Sequence, residues 1–137
     1  MLQWAMGISL AGLAGIWSRV GFILWLTPLV GSWLWLPVGI VNILGCFGIG
    51  CLMGVFSVLK APQQWEQLRV AIAMGFLGGF TTFSSFAWDA FSLWQQWRLT
   101  QAQEAFIQLL MTLILQPVLG LIAVGTGFWM VKLALGK

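Results

Sequence analysis

Long apolar stretches alternate with short polar breaks along this chain. Four such stretches cover roughly residues 2–26, 33–59, 70–93 and 105–131, and each meets the ~20 residues that a membrane-spanning helix requires. No basic residue precedes the first stretch, which is also too long for the apolar core of a signal peptide, so we expect a retained helix. The pattern predicts an all-α membrane protein with four transmembrane helices, in a single domain over residues 1–137.

The tryptophans provide an independent test of this count, because tryptophan collects in belts at the two membrane surfaces. A chain with four spans places these residues near the span ends, in two groups on opposite sides of the membrane: Trp4, Trp65 and Trp129 in one group, and Trp25, Trp33, Trp35, Trp94 and Trp97 in the other. Their placement therefore supports four spans.

The composition agrees with a membrane protein. Of the 137 residues, 61% are hydrophobic and 7% are charged, and the mean hydropathy is +0.98. A soluble core of this size could not bury so much apolar surface, whereas a lipid bilayer covers it. The net charge of +3 comes without a basic cluster, so we expect the bilayer rather than nucleic acid as a partner.

The basic residues favour one membrane orientation only weakly. Four of the six lie on the side that carries both termini, and two lie on the other side or near it: Lys60, Arg69, Lys132 and Lys137 against Arg98 and Arg19. By the positive-inside rule such a small difference is compatible with insertion in both orientations.

The residue types exclude most catalytic chemistry. The chain has no histidine and three acidic residues, too few for a hydrolytic triad or a side-chain metal site. Cys46 and Cys51 are five residues apart on one predicted helix, beyond the ~7 Å reach of a disulfide, so we expect them to be packing residues. The sequence therefore predicts a transport or structural protein rather than an enzyme.

Glycine and proline positions predict how the helices meet. Gly12 and Gly15 in the first span and the pair Gly50 and Gly54 in the second give faces on which another helix can approach closely. Pro37 suits the first turn of the second span, and Pro117 is expected to kink the fourth.

The segment GFLGGFTTFSSF, residues 75–86, concentrates glycines, hydroxyls and phenylalanines in the middle of the third span. An aromatic packing stripe explains the phenylalanines but leaves Gly78-Gly79 and Thr81-Thr82 unexplained. Backbone freed from helical bonding at this depth must line a cavity or be satisfied inside the protein. We therefore predict a broken third helix, whose free carbonyls could hold a cation and whose hydroxyls could donate to an anion.

Asn42 lies in the middle of the second span, within PVGIVNILGCFGIG. An amide at this depth is costly unless it has a partner. Two interpretations stay open: a hydrogen bond that joins two helices, or a donor to an anion together with the Thr and Ser residues of the third span.

These two segments, with GLAGIWSR in the first helix, resemble the small bacterial fluoride channel family, whose members are the CrcB-type or Fluc proteins. The resemblance implies an antiparallel, dual-topology homodimer with two pores in the bacterial inner membrane. It also implies a channel that passively exports cytoplasmic fluoride and so lowers its toxic concentration, with the fluoride ion, the bilayer and a second copy of the chain as its partners.

The same resemblance assigns roles to residues. A structural sodium ion, Na+, is expected at the dimer centre on the backbone carbonyls of Gly78 and Thr81. Fluoride is small and tightly hydrated, so a filter needs dense hydrogen-bond donors in place of water. The expected fluoride pathway comprises two phenylalanines and a set of amide and hydroxyl donors: Asn42, Thr82, Phe83, Ser84, Ser85, Phe86 and Thr112.

Some positions depart from the family pattern. Ile40 stands where Thr is common, Cys46 takes the place of a small polar residue, and the polar track of the fourth helix is reduced to Thr112 and Gln116. Arg19 and Asp89 lie within spans near the same membrane face. An ion pair between them and an Arg19 that draws anions into a vestibule both remain open.

Two other functions require different sequences. A small dual-topology multidrug transporter would need a membrane-embedded acid in the first helix, and residues 2–26 contain none. A purely structural bundle would have no need for the glycine and threonine break.

Overall fold

The computed structural model describes residues 2–33, 35–59, 62 and 65–136. Helix α1 is Leu2–Leu26, followed by the short 3-10 turn Thr27–Leu29, and α2 is Leu36–Leu59. Helix α3 runs through Glu66–Val70, the π-helical segment Ala71–Leu77 and Gly78–Phe80, and α4 is Phe83–Thr100. Helix α5 runs through Gln103–Leu110, the π-helical segment Met111–Leu115 and Gln116–Leu135.

Four helical runs are long and apolar enough to cross a membrane: Leu2–Leu29, Leu36–Leu59, Glu66–Thr100 and Gln103–Leu135. The predicted number of spans and the all-helical class are therefore confirmed, and the chain is a multi-pass membrane protein. The third and fourth runs, of 35 and 33 residues, extend beyond their apolar stretches, because both helices continue into polar ends. Lys60 and Lys137, which entered the count of basic residues, lie outside the described residues.

Helices α2 and α5 pack closely along a line of glycines. A Cβ atom at Gly50 would collide with the carbonyl oxygen of Val124, and one at Gly54 would lie 2.9 Å from that of Phe128. In the opposite direction, a Cβ atom at Gly127 would lie 2.5 Å from the carbonyl oxygen of Phe47. The predicted role of Gly50 and Gly54 in close helix packing is confirmed.

Helices α1 and α3 meet through glycines on both sides. A Cβ atom at Gly15 would collide with the carbonyl oxygen of Phe76, and one at Gly75 would lie 2.7 Å from that of Ile8. Gly79 lies against the backbone of Gly12 in the same way. Gly79 is thus a packing residue inside the helical segment Gly78–Phe80, and the backbone leaves the helix only after Phe80.

The prolines act at the start of helical segments. Pro37 is the second residue of α2, as predicted for the first turn of a helix. Pro117 is the second residue after the π-helical segment Met111–Leu115, and it has no N–H to donate to the preceding turn. A wider helical turn thus precedes the proline, and the kink of the fourth span stays a prediction.

Candidate functional site

The third span opens between α3 and α4, where Thr81 and Thr82 have extended backbone. In a continuous helix the N–H of Thr82 would donate to the carbonyl of Gly78, but it donates to Asn42 Oδ1 at 2.8 Å. The N–H of Ser85 would donate to the carbonyl of Thr81, but it donates to Thr82 Oγ1 at 3.3 Å. The carbonyls of Gly78 and Thr81 therefore lack the amide partner that a helix would give them.

Asn42 holds this opening from the side of α2. Its Oδ1 accepts from the N–H of Thr82, and its Nδ2 donates to the carbonyl of Thr82 at 3.1 Å. The amide thus replaces the main-chain bond that the N–H of Thr82 loses, and it adds a second donor to a carbonyl that, at the N-cap of α4, already accepts the first bond of that helix. The interhelical hydrogen bond is present, and one amide N–H has no recorded partner among the described residues, so a role as an anion donor stays a prediction.

Arg19 reaches the opening from α1. Its Nη1 donates to the carbonyl oxygen of Thr81 at 3.0 Å, which is the oxygen that lost its helical partner. Asp89 lies seven residues beyond Thr82, about 10 Å along α4, and is not paired with Arg19. Among the described residues, the salt bridge that is present joins Arg69 and Glu66. The structure therefore has Arg19 on the opened backbone rather than in an ion pair with Asp89.

Three hydroxyls gather at the first turn of α4. Thr82 Oγ1 donates to Ser85 Oγ at 3.1 Å and lies 3.3 Å from Ser84 Oγ. Thr82 is the N-cap residue of this helix, and its side chain is buried. Hydroxyls at the positive end of a helix dipole form an environment that favours an anion over a cation.

Phe83 and Phe86 lie side by side on α4, with ring centroids 5.6 Å apart and planes tilted by 35°. The Phe83 side chain is 80% exposed on the single chain. Both rings line an open cavity of about 510 Å³ between α2, the opening and α5. The lining also includes Asn42, Cys46, Thr81, Thr82, Gln116 and Gly120.

The cavity brings together four of the predicted pathway residues, Asn42, Thr82, Phe83 and Phe86. It does not include the others among its lining residues: Ser84, Ser85 and Thr112. Ser84 and Ser85 touch it only through their bonds to Thr82. Thr112 is fully buried, and its hydroxyl donates to the carbonyl of Gln108 at 2.8 Å.

Helix α5 contributes a buried polar stripe. The predicted fluoride pathway included Thr112 from this stripe but not Gln108 or Gln116. Gln108, Thr112 and Gln116 recur every four residues, on one face of the helix, and all three are buried. Gln116 lies across Gly39, where an added Cβ atom would be 3.1 Å from Nε2. Its two amide atoms have no hydrogen-bond partner among the described residues. In the sequence, the four-residue spacing between Thr112 and Gln116 indicated that both lie on one helix face, but it did not show that Gln116 lines the cavity.

A cation at the opening would have to bind neutral oxygens, such as those of the main chain. In the part of the chain that the structure describes, no group of three His, Cys, Asp or Glu side chains could hold a metal ion. The carbonyls of Gly78 and Thr81 are oxygen ligands of the kind that hard cations take.

Comparison with known proteins identifies the family. The model of the family described as "CrcB-like protein, Camphor Resistance (CrcB)" matches residues 6–128. A fluoride-specific ion channel FluC of Pseudomonas syringae pv. tomato is 37% identical over 93 residues, 68% of this chain and 73% of the relative. The FluC protein of Stutzerimonas stutzeri is 35% identical over 102 residues, 74% of this chain and 81% of the relative.

A third relative, the FluC protein of Chloroflexus aurantiacus, is 40% identical over 90 residues, 64% of this chain and 68% of the relative. No solved structure matches this chain. The match to the family model includes most of each of the four spans and the opening at Thr81 and Thr82, and the chain therefore belongs to the CrcB-like family.

Proposed function

We propose that this chain forms a fluoride-selective channel that passively exports cytoplasmic fluoride and so lowers its toxic concentration. The observation that carries the proposal is the cavity at the opened third span, where Asn42, Thr82 and two phenylalanine rings come together. Relatives named fluoride-specific ion channels support it. Because those relatives are channels, the prediction that the chain is not an enzyme is confirmed.

The chemistry of the cavity suits a small, strongly hydrated anion. A dehydrating fluoride ion needs several donors close together, and the free N–H of Asn42 and the hydroxyl cluster at Thr82 supply them. The ring edges of Phe83 and Phe86 add partial positive charge. No carboxylate is among the described lining residues, so no negatively charged side chain there repels an anion. Larger halides bind such donors less strongly, which favours fluoride.

We further propose that two copies assemble in antiparallel orientation in the bacterial inner membrane. Phe83 is 80% exposed on one chain, and Gly78, five residues before it, is exposed as well. A second copy would cover both and complete two pathways. The weak excess of basic residues on one side supports insertion in both orientations.

A structural sodium ion at the centre of this dimer is part of the proposal. The carbonyls of Gly78 and Thr81 have lost their helical amides, so two chains would offer four such oxygens. The Thr81 oxygen also accepts from Arg19, but a carbonyl oxygen has two lone pairs and can serve both. A bound sodium ion would join the two subunits, and its residues would be Gly78 and Thr81 of each.

Arg19 contributes the charge that we assign to the vestibule, the entry on the side of α1. One of its five N–H groups is bonded to Thr81. The positive charge of the guanidinium, held within the span, would raise the local concentration of anions near the opening.

Reconstitution into liposomes tests the function. Liposomes loaded with potassium fluoride or potassium chloride should release fluoride much faster than chloride, when a potassium ionophore is the only added path for charge. Protein-free liposomes are the control. Equal rates for both anions, or fluoride release that required a proton or sodium gradient, would refute a passive fluoride channel. A structural bundle would release neither anion, and a multidrug transporter would instead move organic cations.

A further inference from the structure

Cys46 carries the one thiol among the described residues that line the cavity. Its thiol is free and half-buried. It follows Asn42 by four residues on α2, so both side chains lie on the same face of that helix. Opposite the thiol, α5 carries Gly120, where an added Cβ atom would be 3.3 Å from Sγ. The thiol therefore lies against Gly120, and both residues are among those that line the cavity.

Gln116 provides a second and independent sign that this cavity takes a ligand. Its side chain is 5% exposed, and both amide atoms are buried without a partner among the described residues. Buried polar groups in native proteins are nearly always satisfied, by protein, water or a bound species. Gln116 is one helical turn from Gly120, so the unpaired amide and the thiol border neighbouring parts of one space.

We propose that Cys46 is a binding site for soft monovalent cations such as Ag+, and that a cation bound there closes the fluoride path. The inference rests on the proposed channel function, because it assumes that fluoride crosses this cavity. Thiolate sulfur is the protein ligand that soft metal ions prefer. In the binding step the thiol releases its proton and the sulfur forms a bond to the cation, so that RSH and Ag+ give RSAg and H+.

A silver ion at Cys46 stops conduction by the space that it occupies. It fills part of the cavity that Phe83 and Phe86 also line. The silver thiolate carries no net charge, so the block comes from the bulk of the bound ion and not from attraction of the anion.

Cys51 offers a matched control on the same helix. A Cβ atom at Gly127 would lie 3.2 Å from its sulfur, so this thiol faces a glycine of α5 as Cys46 does, but it is not among the described residues that line the cavity. Both thiols are half-buried and free, and they differ in whether they face the proposed path.

The experiment measures fluoride efflux from proteoliposomes in chloride-free nitrate buffer, before and after silver nitrate is added. Each variant is compared with its own rate before silver. We expect silver to slow fluoride efflux through wild type and Cys51→Ser about tenfold or more, because one bound cation blocks one path. Excess dithiothreitol should restore both rates. Cys46→Ser and Cys46→Ala should keep their rates. Equal inhibition of the Cys46 variants, or no inhibition of wild type, overturns the proposal.

A labelling measurement separates this site from the channel function. The thiolate of Cys46 attacks methyl methanethiosulfonate, forms an S–S bond to the methylthio group and releases methanesulfinate. Intact mass of the Cys51→Ser protein in proteoliposomes should show one added methylthio group, and silver bound beforehand should prevent the addition. Failure of the proposed function would appear as no fluoride efflux before silver. A Cys46 thiol that neither labels nor is protected by silver would refute the site itself.

Discussion

The two phenylalanines of the cavity allow a sharp test of whether they pack or conduct. Phe83 is 80% exposed and touches the protein mainly through its tilted contact with Phe86, at a centroid distance of 5.6 Å. Replacing either ring by isoleucine keeps an apolar side chain of similar bulk but removes the electropositive ring edge. We therefore expect Phe83→Ile and Phe86→Ile to assemble normally and to conduct fluoride poorly.

The two effects differ in size. Loss of one tilted aromatic pair costs about 0.5–1.5 kcal/mol of stability, and an apolar exchange of similar volume usually costs less than about 1.5 kcal/mol. A fluoride ion that has shed water depends more on each remaining partner. If one ring edge contributes ~1.4 kcal/mol to the barrier state, its removal slows passage about tenfold. The fold should therefore tolerate a change that the flux does not.

Phe91 is the matched control on the same helix. Its ring makes a similar tilted contact, 5.8 Å from Trp94 at 35°, and it is 45% exposed, but it does not line the cavity. The assay is fluoride efflux from proteoliposomes, divided by the amount of assembled protein from size exclusion. Phe91→Ile should conduct like wild type. Wild-type flux in both cavity variants, or an equal loss of flux in Phe91→Ile, would mean that Phe83 and Phe86 only pack and do not line the path.

Three further predictions concern the opening and the helix contacts. Asn42→Ala leaves the N–H of Thr82 unpaired, at about 1–3 kcal/mol, so the unfolding midpoint in detergent should fall clearly; an unchanged midpoint would mean that another group replaces the amide. Gly50→Ala forces a Cβ atom into a carbonyl of α5 and should lower the free energy of unfolding by about 1–3 kcal/mol. Gly125→Ala is the control, because the space around Gly125 is open. Equal unfolding midpoints for the two variants would contradict the close packing at Gly50. Gly78→Val should weaken the dimer on size exclusion, and so should removal of sodium from the wild type; an unaltered dimer in both would argue against the shared cation.

The spans could be predicted because hydropathy and helix length both respond to the thickness of the bilayer, and neither depends on which helices are neighbours. The place where the helix opens was harder to predict. Glycines signal either flexibility or close approach, and only the packing of α1 on α3 shows that Gly79 serves the second. The helix therefore persists through both glycines and ends at the threonines.

The partners of polar residues were the least predictable part of the site. Asn42 and Thr82 are 40 residues apart, and Arg19 and Thr81 are 62 apart. No local pattern links residues at such separations, so the sequence showed that Asn42 needs a partner and not which one. Gln116 is similar, since its burial depends on how α2 covers α5.

The bonds between Asn42 and Thr82 also constrain the order in which the protein is made. Helix α2 leaves the ribosome before residue 82 does, so it enters the lipid before its amide can bond to Thr82. Its high mean hydropathy of 2.1 lets it carry that single polar group across. The compensating bonds form later, when the third span arrives and the inserted helices associate. The backbone opening is thus completed after insertion, as a step of assembly within the bilayer, and variants of Asn42 should reach the membrane even where they cannot finish the fold.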